Sequence, residues 1–304
     1  MEKPLISVVV PIYGVEAYIG DCARSLMSQR PDDVEFIFVN DGTRDRSMDV
    51  LSQVLDAFPG RSVKIINQAN AGLPQARMAG IRAAEGEYIV HLDADDWLET
   101  GALERLCTAA RTSGADLIYY DFWKEYATRS KLDRERDFTP ADKTGWMRRL
   151  YRDGAYGYVW CKMARKSLYE GIFAPRYTMH EDVVFSTQLI FRADRIVHLR
   201  QPLVHYRRNN PSASTRSAKR VRRGQMARNY LDMYEHYRES LTGSPVEPVL
   251  DDLVLRAAYV GFSLNRDLFR ERPYLKEMAR HLPLMPFHRV LLVEQLALKL
   301  WLLW

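Results

Sequence analysis

Long apolar runs are missing from this chain. Nowhere in its 304 residues do about 18 apolar residues stand together, so no segment reads as a membrane-spanning helix. The apolar run near the start is a handful of residues ending at Pro11, which is not the pattern of a secretory signal. Cysteine is scarce: Cys22, Cys107 and Cys161 are odd in number and lack metal-ligand spacing, which fits a reduced interior better than a disulfide framework. Glycine-rich phosphate loops are absent too. No Gly-x-Gly-x-x-Gly follows the first strand and no Gly-x-x-x-x-Gly-Lys-Ser/Thr occurs anywhere, which excludes the usual dinucleotide and P-loop enzymes. Acidic residues are missing from one stretch. Between Arg207 and Arg228 stand Arg207, Arg208, Arg216, Lys219, Arg220, Arg222, Arg223 and Arg228 with no acid among them, more cations than the whole net charge of +5. The positive excess is local and implies a local anionic partner.

What is present is a sizeable core. Apolar residues make up 47% of the chain and aromatics 11%, enough for one large domain with an appended part. The chain turns on His91-Leu-Asp-Ala-Asp-Asp-Trp97. Glu87 to Leu92 reads as a buried strand, and Asp93, Asp95 and Asp96 stand at its end. In extended chain, Asp93 and Asp95 point to one side. Two carboxylates so placed repel unless a cation lies between them, and hard oxygen ligands suit Mg²⁺ or Mn²⁺. The plainer account makes Asp96 a cap for a helix beginning near Glu99, with the others as solvated loop acids.

The preceding chain alternates strand and helix. Leu5 to Val10 is a first strand of the continuous, buried kind, followed by a helix over 17–29. Val34 to Val39 is a second strand, stopping at Asn40-Asp41-Gly42-Thr43. Asp45 or Ser47 caps the next helix. Val63 to Ile66 is a third strand, and Asn70 to Arg77 opens another helix with Gly72 at its turn. This order is the signature of a βαβ sheet, whose ligands bind outside the carboxyl ends of the strands. The loops at Pro11–Tyr13, Asn40–Gly42 and Asp93–Asp96 share that edge. A ring, a carboxylate and an acid pair there describe a nucleotide-diphosphate pocket.

The chain resembles the inverting glycosyltransferases of family 2, which have the GT-A fold. The resemblance is carried by Val10-Pro-Ile-Tyr-Gly-Val-Glu-Ala-Tyr18, Val39-Asn-Asp-Gly-Thr43, Asn70-Ala-Gly-Leu-Pro-Gln-Ala-Arg-Met-Ala-Gly80 and Leu92-Asp-Ala-Asp-Asp-Trp97. Gly14 and Met78 stand where Asn is usual and Thr43 where Ser is usual; the acids are intact. The resemblance implies an α/β fold with a Rossmann-like, mostly parallel sheet. It implies that the Pro11–Tyr13 loop and Asp41 hold the base of a nucleotide-sugar donor, a UDP-sugar above all. Arg77 would stand near the donor phosphates, Asp93 would touch ribose or metal, and Asp95 would bind Mg²⁺ or Mn²⁺. It also matches Glu181 and Asp182, at the head of an apolar helix, to the family's acidic pair, with Asp182 as the base that takes the acceptor's proton. On the residues alone, the two acids read either as helix N-terminal charge or as a carboxylate at a pocket edge that can serve as a base. Trp160 and Lys162 match a family pattern on the acceptor side.

Further along, 124–143 reads as a mobile surface loop. His205 could complete a metal shell, although a lone His is more often structural. Arg207 and Arg208 suit contact with a pyrophosphate, as do Ser212 and Ser214 nearby. Gln225 to Asn229 echoes the Gln-x-x-Arg-Trp motif of processive synthases with Asn229 in place of Trp, so processivity is not expected. The expected organisation is a catalytic domain over 1–215, divided near 120 into donor and acceptor halves, and a helical region over 216–304. Helices are expected over 224–241, 249–266 and 289–304. The last ends in Trp301 and Trp304 and reads as an interfacial, packing or homodimer helix. With the 207–228 segment it suits peripheral contact with an anionic membrane. The acceptor would then be a glycan or lipid-pyrophosphate-linked glycan in cell-surface polysaccharide synthesis. The rival readings are a sugar-phosphate nucleotidyltransferase, which would want a Gly-rich first loop, and a nucleic-acid binder. The latter needs stacking aromatics among the basic residues, and none precedes Tyr230.

Overall fold

The computed structural model describes residues 3–134, 143–152, 157–208, 219–262 and 267–281. They form two compact units that interleave along the chain. One comprises 1–140, 158–174 and 188–210, and the other 141–157, 175–187 and 211–304.

The first unit is built on one sheet. Strands β1 (Ile6–Ile12) and β2 (Val34–Asn40) are buried almost throughout, the continuous apolar pattern of strands covered on both faces. β3 (Ser62–Asn67) is half exposed, as an edge strand should be, and β4 (Tyr88–His91) is wholly buried. These four run parallel in the order β3-β2-β1-β4. The sheet continues through β8 (Lys162–Arg165), antiparallel to its neighbours, then β6 (Leu117–Tyr126), β9 (Ile196–Arg207) and the short β5 (Trp97–Leu98). Helices α1 (Ile19–Met27), α2 (Ser47–Asp56), α3 (Leu73–Ala83) and α4 (Ala102–Ser113) complete the βαβ crossovers. α3 lies so close to β1 that a Cβ on Gly80 would come within 2.3 Å of Val9 Cγ1. From β1 the chain steps one way to β2 and the other way to β4, so the crevice of the sheet opens at their carboxyl ends.

Two polar features of the strands have local causes. Pro11 lies inside β1, where a missing N–H normally breaks a ladder. Val9 bonds toward β4, whose pairing ends at Val9 and His91, so Pro11, two residues on, points past the end of that strand. Glu35 is buried in β2, where it accepts from Ser7 Oγ at 2.6 Å and the Glu85 amide at 2.6 Å and meets Lys64 Nζ at 2.9 Å. Burial pushes its carboxyl up, but the bonds from Lys64, Ser7 and Glu85 outweigh it and leave it below the ordinary range.

Two expectations are corrected here. The stretch after 124 is no loop: β6 runs on to Tyr126 and turns back as β7 (Arg129–Asp133), pairing Phe122 with Asp133 through Tyr126 with Arg129. Only 135–142 of the expected loop lies outside the described residues. Nor does Asp96 cap a helix, since β5 intervenes and α4 starts at Ala102, after Gly101.

The second unit is helical in its described part. It contains α5 (Lys143–Arg152), the start of α6 (Glu181–Arg192), α7 (Lys219–Tyr237), α8 (Glu247–Phe262), α9 (Asp267–Glu271) and α10 (Tyr274–His281). Trp146 and Met147 of α5, Leu231 and Met233 of α7, Leu253 of α8 and Phe269 of α9 are buried. Arg272 ties α7 down through Asp232 at 2.5 Å and Glu235 at 2.8 Å. The helix expected over 289–304 lies outside the described residues.

Candidate active site

The loops at the carboxyl edge of the first unit's sheet are fastened to one another by side chains. Gly14 N–H donates to Thr43 Oγ1 at 2.9 Å, Val15 N–H to Ser47 Oγ at 3.1 Å and Glu16 N–H to Asp45 Oδ2 at 3.0 Å. Asp45 Oδ1 also accepts from Thr43 Oγ1 and Ser47 Oγ. Burial raises its carboxyl, and the bonds from Ser47 and Thr43 more than reverse that, holding it below the ordinary range. Sequence reasoning saw Asp45 only as a cap; its role in joining two loops depends on contacts about thirty residues apart that no local pattern shows.

Asp41 is 2% exposed. Its Oδ1 accepts from Gln68 Nε2 at 2.7 Å and the Ala71 amide at 2.8 Å, and its Oδ2 from the Gly72 amide at 2.9 Å. It therefore shapes the turn into α3, against which Gly42 is pressed so closely that a Cβ would lie 2.9 Å from Asn70 N. Tyr13, by contrast, just past the carboxyl end of β1, is 54% exposed, while Pro11 within β1 is buried.

Asp93, Asp95 and Asp96 each offer a carboxylate oxygen, and the three atoms lie within 4.8 Å of one another. Arg77, wholly buried, donates to Asp93 Oδ1 at 2.6 Å. Asp96 is 1% exposed; its Oδ1 accepts the Arg207 amide at 2.8 Å, and its buried Oδ2 has no partner among the described residues. Burial, followed by the charges of Asp95 and Asp93, pushes Asp96 well above the ordinary carboxyl range. Three acids so close are costly as anions without a counter-ion, and an all-oxygen donor set of this kind fits Mg²⁺ or Mn²⁺.

Arg207 closes this loop from β9. Its Nε donates to Asp95 O at 3.0 Å, its Nη2 reaches Asp21 at 3.2 Å, and its guanidinium lies over the rings of Trp97 and Tyr18 at 4.7 and 5.1 Å. Arg208 stands over Tyr206 at 5.4 Å. His205 does not join the acids. Its Nδ1 meets Glu125 at 2.7 Å, its Nε2 meets Glu99 at 3.2 Å, and its ring stacks on Trp97 at 4.9 Å. With both nitrogens engaged, it joins β5 and β6 to β9 and is not part of the Asp93, Asp95 and Asp96 group. His91 entered the sequence reading only as the start of the acidic stretch, with no role of its own. It is wholly buried and meets Tyr169 Oη at 3.2 Å, and burial together with the charge of Arg77 keeps it well below the ordinary His range.

Trp160 is buried, stacked on Tyr158 at 4.7 Å and edge-on to Phe122 at 4.8 Å. Lys162 is buried as well and donates to Tyr158 O at 2.6 Å. Glu181 and Asp182 form the first turn of α6 in the second unit, Glu181 buried and Asp182 partly exposed. Ser212 and Ser214 lie outside the described residues.

The first unit is an α/β fold with an acid-lined crevice at the carboxyl edge of its sheet. Residues 7–173 match the model of "Glycosyl transferase family 2". The chain belongs to that family. It is 31% identical to the glycosyltransferase EpsJ of Bacillus subtilis (strain 168) over 245 residues, which cover 77% of this chain and 71% of EpsJ. It is 33% identical to the glycosyltransferase EpsH of the same organism over 231 residues, 73% of this chain and 66% of EpsH. Among solved structures it is similar to S. aureus TarS 1-349 in complex with UDP-GlcNAc, with a TM-score of 0.70 at 18% identity, covering 98% of this chain and 88% of that one. It is also similar to the mannosyltransferase PcManGT of Pyrobaculum calidifontis in complex with GDP-Man and Mn²⁺, with a TM-score of 0.55 at 14% identity, covering 99% and 88%. These likenesses establish the GT-A fold; the family match establishes a glycosyltransferase and does not favour the nucleotidyltransferase or nucleic-acid readings.

Proposed function

We propose that the chain moves a sugar, with inversion, from a nucleoside diphosphate sugar to a hydroxyl of a glycan or lipid-linked glycan. The observation that carries this reading is the trio of carboxylates within 4.8 Å at the switch point of the sheet. Asp93 and Asp95 would hold Mg²⁺ or Mn²⁺, and such an ion, when bound, supplies charge neutralisation at a diphosphate. Tyr13 offers its open ring to the base, Asp41 fixes the wall beside it, and Arg77 sets Asp93 and adds positive charge near the phosphates. Asp182 takes the proton of the acceptor hydroxyl as that oxygen forms its bond to the anomeric carbon. The bond from that carbon to the departing nucleotide oxygen breaks on the opposite face. A UDP-sugar is favoured as donor because the structural neighbour TarS binds UDP-GlcNAc and UDP. A polysaccharide acceptor at an anionic membrane surface is favoured by the 207–228 basic segment and the Trp-ended tail.

The test is nucleotide release from a panel of UDP- and GDP-sugars, with Mn²⁺ or Mg²⁺ and with a chelator. Release from at least one donor, abolished by the chelator, is expected. Chelator-insensitive release, or none from any donor, would sink the reading.

A further inference from the structure

The turn that leads into α6 is held by α7. Asn229 is wholly buried. Its Oδ1 accepts the Tyr177 N–H at 3.1 Å, and its Nδ2 donates to the carbonyls of Tyr177 at 2.7 Å and Met179 at 2.9 Å. The side-chain amide thus pairs with both backbone groups of Tyr177, as a neighbouring strand would, and takes one carbonyl more. The next residue, Tyr230, is also buried and brings its Oη to 2.6 Å from His180 Nδ1. Two residues on, Asp232 faces Arg176 at 3.8 Å. Every contact falls on the five residues immediately before Glu181 and Asp182.

His180 is unusual in its backbone. Its φ of 59° makes it the one non-glycine residue with positive φ among the described residues. Non-glycine residues adopt that conformation rarely, and it persists where the surroundings enforce it. His180 also supplies the first carbonyl of α6, accepting the Val184 N–H at 3.2 Å. The peptide that Tyr230 and Asn229 fix is therefore the one that sets the direction in which α6 starts. Asp182 is two residues along.

We propose that Asn229 and Tyr230 are positioning residues for Asp182: from one helix they lock the Tyr177–His180 turn and so aim the Asp182 carboxylate. This rests on Asp182 being the base. It also gives Asn229, which stands where processive synthases carry Trp, a function of its own. An acid misplaced by an ångström loses rate steeply, by about 10²-fold. A residue that merely satisfied buried backbone would change stability and leave the chemistry alone.

The test compares Tyr230→Phe, Asn229→Ala, Asp182→Asn and the Tyr230→Phe/Asp182→Asn pair with wild type. The readouts are turnover of the panel donor cleaved fastest with Mn²⁺, UDP affinity by calorimetry, and hydrogen exchange of amides 177–182. Tyr230→Phe should lower kcat by about 10-fold and Asn229→Ala by up to about 10²-fold, with donor KM and UDP affinity unchanged. Exchange at 177–182 should quicken, and the double variant should turn over no more slowly than Asp182→Asn alone, because the lost aim has nothing left to act on. If Asp182→Asn is inactive while Tyr230→Phe and Asn229→Ala keep wild-type kcat, the positioning claim fails and the base assignment stands. Wild-type kcat in Asp182→Asn removes both. A double variant slower by the product of its two single losses would place Tyr230 in another role. Should Asn229→Ala not fold, Tyr230→Phe, which removes a single oxygen, decides the matter.

Discussion

Asp93, Asp95 and Asp96 are near neighbours with different surroundings. Asp93 is tied to Arg77, Asp96 is buried against the Arg207 amide, and Asp95 is partly exposed, with its carbonyl held by Arg207. The sequence placed these acids at a strand end, because the run from Glu87 to Leu92 is short, apolar and rich in strand formers. It could not show that Asp96 serves the backbone of β9, since that partner lies 111 residues away in sequence. The partners of His205 were out of reach for the same reason: Glu99 and Glu125, which take both its nitrogens, are brought to it only by the fold. At this scale the account predicts that Asp182→Asn keeps nucleotide affinity but loses turnover by about 10²- to 10⁴-fold, the usual contribution of a general base. Calorimetry with UDP and steady-state kinetics measure both. A variant that lost UDP binding instead would move Asp182 to the donor side.

Among the elements, the strands that read most clearly were β1, β2 and β4, whose apolar runs are continuous because helices or strands cover them on every side. The far end of β6 and all of β7 were hidden. Their polar residues are satisfied by cross-strand partners, Asp121 by His198, Lys124 by Asp133 and Glu125 by His205, so a real strand carries the composition of a loop. Glu35 in β2 is the same effect inside the core, and it carries a pH dependence. Its folded carboxyl titrates below the ordinary value of about 4.3, so its contribution is complete above that value and is lost as pH falls through the lower, folded one. Denaturant midpoints of wild type should therefore drop as pH falls below about 5, and Glu35→Gln should be less stable above that pH with a shallower slope below it. Parallel curves for the two proteins would show that Glu35 contributes nothing to acid sensitivity.

For the molecule as a whole, the sequence pointed to a sheet-based part followed by helices. The structure adds that 141–157 and 175–187 group with the C-terminal helices, a chain crossing that composition does not mark. No helix among the described residues is long and apolar enough to cross a membrane. The proposed bilayer contact would run through the basic 207–228 segment, whose cations are worth about 1 kcal/mol each near an anionic surface, and the tail at 289–304. Flotation with anionic vesicles should show binding that weakens with salt and falls in a variant with Trp301→Glu and Trp304→Glu. Equal flotation of both proteins would remove the tail from the membrane account.

The claim on which everything else depends is that the aspartate cluster holds a divalent cation against a nucleotide diphosphate. It is tested most directly by titrating UDP into wild type and into Asp95→Asn, each with Mn²⁺ and with chelator, while melting temperature is followed. Wild type should bind UDP tightly only with Mn²⁺, and Asp95→Asn should keep its melting temperature yet bind UDP weakly and equally in both conditions. Mn²⁺-dependent UDP binding of wild-type strength in Asp95→Asn would contradict the account.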